Sequence, residues 1–133
     1  SLTTLHANNP RDAVARIENM VMMAGFDLPI LAIRQQIASA VNLILQLSRL
    51  QDGSRRLTYV TEVIGMEGET VTLQDIFVFD NQGPGPDGKI QGGMISTGIR
   101  AQFEDRFGQY GVSSEWSDEY LDVKPVAPAA LAF

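Results

Sequence analysis

The chain contains no cysteine, one histidine and one tryptophan in 133 residues. Without thiols it can form neither disulfides nor thiolate metal sites, a composition compatible with a reducing cytoplasm. A single histidine, His6, gives little material for a histidine cluster or a histidine-based dyad, and no metal site is expected. Long apolar runs are missing as well. The most hydrophobic stretches are broken by Gln35, Gln36, Asn42 and Gln46, so none approaches the ~20 residues of a membrane-spanning helix. Basic residues are scarce, with Lys and Arg numbering 10 against 16 Asp and Glu, for a net charge of -6. Such a balance argues against non-specific nucleic-acid binding, which depends on many phosphate contacts, so no nucleic-acid partner is expected. The charge is unevenly spread: residues 1–60 carry +2 and the remainder -8. The basic first half can still meet a small anion.

What is present suits one globular domain. Hydrophobic residues make up 44% and charged residues 20% of the chain, enough to bury roughly two thirds of the extended surface. The first residues, SLTTLHA, read as a strand with Leu2, Thr4 and His6 on one face and Thr3, Leu5 and Ala7 on the other. Asn8, Asn9, Pro10 and Asp12 then signal a helix start: an Asn side chain caps free N–H groups, Pro fits the first turn, and Asp12 favours the positive end of the dipole. Ala13, Val14, Ile17, Met20, Val21 and Ala24 recur at helical spacing, and Gly25 supplies a stop. Met20, Met22 and Met23 are expected to fill the core of that helix's apolar side.

Asp27 and Pro29 open a second helix with apolar positions Ile30, Ile33, Ile37, Ala40 and Val41. Beyond Asn42 the composition becomes strand-like. LILQLSRL and LTYVTEVIGM flank the turn residues QDGS and predict a hairpin, and VTLQDIFVF adds a third antiparallel strand after a turn at residues 67–69. Residues 81–93, rich in Gly and Pro, read as loop, with a short strand over 94–99. Phe103, Phe107 and Tyr110 are spaced for one face of a C-terminal helix ending at Gly111. The expected division is therefore a folded section, 1–111, and an acidic, Pro/Ala-rich tail, 112–133, mobile or docked on a neighbour. In that tail, Trp116 is a candidate anchor.

GPGPDGKI, residues 83–90, matches the spacing G-x-x-x-x-G-K of a phosphate-binding loop. The physics disagrees with the match. Pro84 and Pro86 lack the N–H groups that would cradle phosphate, Ile90 stands where a magnesium-binding Ser or Thr belongs, and IQGGMIS is a poor helix start. A surface turn at Asp87-Gly88 is the better reading. Arg55 and Arg56, beside the QDGS turn, read as solvated charges that discourage strand-to-strand aggregation, with an anion or subunit contact as the weaker alternative.

SLTTLHANNPRDAVARIENM resembles the histidine box and following helix of bacterial secretion ATPases of the type II/type IV secretion superfamily. The continuation, from LPILAIRQQIASAVNLILQLSRLQDGSRR to VTLQDIFVF, is similar to the CpaF-like ATPases of tight-adherence (Flp) pilus assembly. The similarity spans about residues 1–110. It implies an α/β fold forming the C-terminal portion of a RecA-like P-loop ATPase domain: two helices, an antiparallel hairpin or meander, and a C-terminal helix. It also implies a parent that binds ATP and Mg, works as a hexamer, and sits in the bacterial cytoplasm, held at the inner membrane by secretion or pilus components. By the same resemblance, Thr4, His6 and Asn8 face the γ-phosphate. His6 is the candidate catalytic residue, and Arg11 and Arg16 are weaker nucleotide contacts. The phosphate loop and the magnesium-binding acid of such motors would precede Ser1, so the chain is expected to be an excerpt that neither binds ATP tightly nor hydrolyses it unaided. Loss of neighbouring sheet would favour self-association. The alternative is a non-enzymatic assembly module with a structural histidine.

Overall fold

A computed structural model describes residues 1–111. The fold is α/β, two helices followed by a four-stranded antiparallel sheet and a 3-10 helix. Helix α1, Pro10–Met23, starts where its sequence predicts. The Asn9 carboxamide accepts the Asp12 N–H at 2.8 Å, and the Asp12 carboxylate accepts the Asn8 N–H at 2.8 Å. Two otherwise orphaned donors are satisfied reciprocally, which fixes the entry of the chain into the helix. Helix α2, Ile30–Ala40, begins after Pro29 without a side-chain cap and buries Ile33 and Ile37.

Strands β1, Leu43–Arg49, β2, Arg55–Glu67, β3, Thr70–Pro84, and β4, Ile90–Ser96, pair in chain order. Short turns of Gly and Asp make this meander the default arrangement. The core forms where Val14, Ile33 and Ile37 of the helices meet Val63 and Val71 of the sheet, with Ile17, Val21, Ile44 and Leu73 around them. Each fully buried aliphatic side chain there contributes about 1.5–3 kcal/mol. Two arginines reinforce the layer contact: Arg11 donates to the Val71 carbonyl at 2.6 Å, and Arg34 pairs with Glu18 at 3.0 Å while donating to the Glu69 carbonyl.

Three expectations need correction. Residues 1–7 form no strand, because no sheet edge pairs with them; their contact with β1 runs instead through a side chain, as described below. The Gly-rich stretch 81–93 is mostly strand, with β3 running to Pro84 and β4 starting at Ile90. A register irregularity between Asn81 and Gly83 absorbs the glycines, and Gly92, at φ 141, lies so close to the Asp80 carbonyl that no Cβ fits. Glycine here permits pairing instead of ending it. Finally, Met20, Met22 and Met23 are not core: they are 57%, 47% and 86% exposed, since α1 rests on the sheet only through its first turns and the Ile17–Val21 side.

The predicted C-terminal helix is present as the 3-10 helix Gln102–Tyr110, closed by Gly111 in the left-handed region. The expectations for the tail and for Trp116 lie outside the described residues.

Candidate functional site

Residues 1–7 join no ladder and residues 1–4 are all exposed, so the predicted alternation is seen only from Thr4 onward. Thr4, His6 and Asn8 are exposed, while Leu5 and Ala7 between them are half-buried. Two anchors hold the segment in this attitude. On the sheet side, the buried Gln46 of β1 donates from its carboxamide to the Ala7 carbonyl at 2.8 Å. On the helix side, buried Pro10 and the Asn9–Asp12 cap fix the next residues. An exposed imidazole is thereby carried on main chain that is fastened on its C-terminal side.

The remaining candidates separate into different roles. Arg11 is turned to the sheet through the Val71 carbonyl and serves as a tether. Arg16 stays on the exposed face of α1, 3.6 Å from Asp12. An exposed pair at that spacing is worth only ~0.3–0.5 kcal/mol and leaves the guanidinium available to other anions. The N-terminus of α1 is less available, because the Asp12 carboxylate already occupies it and would repel phosphate. Arg55 and Arg56 lie exposed at the hairpin end of β2, opposite Arg49 and Ser48 of β1. Thr4, His6 and Asn8 are thus all exposed on the segment that leads into α1, and Arg16 is exposed on that helix, four residues after Asp12.

GPGPDGKI is the β3–β4 turn. Gly85 donates to the Lys89 carbonyl at 2.8 Å, Gly88 to the Gly85 carbonyl at 2.9 Å, and Lys89 to the Asp87 carboxylate at 3.1 Å. The N–H groups of Gly85, Gly88 and Lys89 are thus spent on the turn itself, and a strand follows where a phosphate loop needs a helix.

Two carboxylates emerge that sequence reading did not single out. Glu62, 3% exposed in β2, accepts the Gln74 carboxamide at 2.8 Å and the main-chain N–H groups of Gln102 and Phe103 at 2.9 and 2.7 Å. It caps the 3-10 helix from the sheet and borders a cavity of about 240 Å³ shared with Asn42, Asp105 and Arg106. The signal was there: a charged residue inside the apolar run YVTEVIGM needs a partner if buried. Asp52 in the QDGS turn is the second. Among the described residues, no group of three His, Asp or Glu side chains is placed to hold a metal ion.

No family model matches the chain. Proteins from two strains of Mycobacterium tuberculosis, CDC 1551 and H37Rv, carry the provisional name of conjugal transfer protein. Each is 37% identical to this chain over 65 residues, which is 49% of this chain. That match covers 18% of each relative's length, so the chain corresponds to a small part of them.

Proposed function

We propose that the chain is the C-terminal section of a RecA-like motor domain in a secretion ATPase, in the manner of the CpaF-like pilus-assembly enzymes. Its row of Thr4, His6 and Asn8 faces the γ-phosphate of ATP held by other parts of the motor. The similarity to conjugal transfer proteins supports a secretion-related role. The observation that carries the site assignment is the exposed His6 on main chain held by Gln46 and by the Asn9–Asp12 cap. A neutral or protonated imidazole in that position can hydrogen-bond a phosphate oxygen and respond to its loss.

The residues present do not fit as holders of ATP and Mg by themselves. The glycine turn spends the N–H groups of Gly85, Gly88 and Lys89 internally, and α1 is capped by its own acid. The row's part is positioning and sensing. A hexameric ring, in the bacterial cytoplasm and held at the inner membrane by secretion or pilus components, completes the proposal. The open edge of β1, where a larger sheet can continue, supports it.

The test uses the parent protein. His6→Ala should leave ATP affinity within about twofold and lower hydrolysis by 10- to 100-fold, in the range for a positioned proton-transfer or charge-stabilising group. Unchanged turnover together with unchanged secretion or pilus output would remove the sensing role. The chain 1–133 alone should show no micromolar binding of Mg-ATP in calorimetry.

A second reading has its own observation. Met20, Met22, Met23, Phe26, Leu28 and Ile30 form an exposed apolar run around the α1–α2 connection, as an assembly module would present to a partner. Loss of complex formation on Met23→Glu with turnover intact would favour it.

A further inference from the structure

Cations gather at one end of the sheet. Arg49, the last residue of β1, and Arg55, the first of β2, are register partners across the β1–β2 turn, and both are exposed. Directly opposed residues of an antiparallel pair lie about 4.5–5.5 Å apart on one face, and like charges there repel. The Arg49 guanidinium folds towards the turn, within 3.7 Å of where a Cβ on Gly53 would sit. Arg56 follows on the other face, opposite Ser48. The bond from the Ile90 N–H to Asp52 brings Lys89 of the β3–β4 turn to the same end. Two carboxylates stand among these cations, and both are spent locally: Asp52 on Ser54 and Ile90, Asp87 on the Lys89 N–H. Among the described residues the ion pairs form elsewhere, at Arg16, Arg34 and Arg100. The far end of the same sheet carries exposed Glu67 and Glu69, so the positive end is a local feature of a chain whose net charge is -6.

We propose that Arg49 and Arg55 form a binding site for a phosphate oxyanion, free or as the headgroup of an anionic lipid, with Arg56 and Lys89 adding to its field. A carboxylate is saturated by one guanidinium fork, whereas a tetrahedral phosphate group turns free oxygens towards both. Arginine suits that task better than lysine, because its planar fork matches phosphate geometry and it always carries its charge. A bound phosphate also removes the repulsion between the two guanidiniums, so the strand pair gains stability from its ligand. The site does not rest on the ATPase reading. Alternation along β1 turns Arg49 away from Gln46, whose carboxamide holds the segment that carries His6.

Inorganic pyrophosphate and lipid vesicles are the probes, both with the full 133-residue chain. At low salt, pyrophosphate should shift the amide and arginine Nε–H resonances of residues 49–56 saturably, with a Kd of roughly 1 mM, and should raise Tm. Arg49→Gln and Arg55→Gln should each weaken that binding about tenfold, and Arg55→Lys, which keeps the charge without the fork, should weaken it as well. Arg16→Gln, on α1, should leave it unchanged. Removing one arginine relieves the like-charge pair, so these variants should melt no lower than wild type, and lost binding is then not lost folding. Vesicles distinguish the two sources. Sedimentation with phosphatidylcholine vesicles containing phosphatidylglycerol, but not with phosphatidylcholine alone, and its loss in Arg55→Gln, assigns a lipid headgroup; pyrophosphate binding without sedimentation assigns a free phosphate. Neither saturable shifts nor sedimentation, or equal binding by Arg49→Gln and Arg55→Gln, would overturn the proposal. So would loss of binding in His6→Ala, which would place the anion at the N-terminal segment, or tighter binding of a poly-glutamate peptide than of pyrophosphate, which would make the surface an acidic-protein contact.

Discussion

Asp52, in the β1–β2 turn, accepts the main-chain N–H of Ile90 at 2.7 Å and so fastens that turn to the first residue of β4. Its other oxygen accepts the Ser54 hydroxyl at 2.6 Å and the Ser54 N–H at 2.9 Å. The Ser54 hydroxyl first, then the Ile90 and Ser54 N–H groups, with a smaller share from the Arg56 charge, pull its pKa from 3.8 down to about 2. The carboxylate is thus favoured by folding. Its contribution to stability is fully present above pH 3.8 and is lost as pH falls through about 2. Asp52→Asn should lower the urea midpoint at pH 6, and the two midpoints should converge as pH falls towards 2. A gap that stays constant across that window would show that Asp52 acts through shape alone.

Glu62 makes a stronger demand on its surroundings, because it is buried and serves two main-chain donors of the 3-10 helix. Glu62→Ala leaves those N–H groups without their acceptor, a loss of about 1–3 kcal/mol. The effect should be local as well as global. Hydrogen exchange at Gln102 and Phe103 should accelerate more than at Val63 in the same variant, and Glu62→Gln, which keeps one acceptor oxygen, should fall between. Equal acceleration at all three positions would mean that Glu62 supports the sheet and not the helix.

These two carboxylates show what the sequence disclosed and what it hid. Local signals were legible: the Asn9–Asp12 cap, the period of Ile33 and Ile37, and the hairpin turns depend on neighbouring residues. Glu62 and Gln46 were visible as polar letters in apolar strands, but their partners lie 40 and 39 residues away. Met20, Met22 and Met23 misled because helical period reports an apolar face without saying whether anything covers it. Residues 81–93 misled because glycine, which usually ends a strand, here relieves a clash within one. For the candidate site, alternation grouped Thr4 with His6 and the family resemblance added Asn8, all three of which are exposed, whereas the distribution of Arg11 and Arg16 required the three-dimensional packing.

Gly92 tests the reading of that clash. A side chain at φ 141 is strained, and a Cβ there would press against the Asp80 carbonyl of the partner strand. Gly92→Ala should destabilise the chain by about 1–3 kcal/mol and weaken the β3–β4 ladder first. The expected measurement is faster exchange at the amides of 93–95 with α2 amides little changed. Gly93→Ala has open space around its Cβ position and should be far milder.

Gln46 links the fold to the proposed site, since its carboxamide holds the carbonyl of Ala7, the residue after His6. Gln46→Leu keeps the size of the side chain and removes the donor, at a stability change of about 1 kcal/mol. If the held attitude of His6 matters to hydrolysis, Gln46→Leu in the parent should lower turnover several-fold with ATP affinity retained. Combined with His6→Ala it should add little, because both changes remove the same positioned imidazole. Full additivity in that double-mutant cycle would separate the two residues, leaving Gln46 as a strand residue that only stabilises the N-terminal segment.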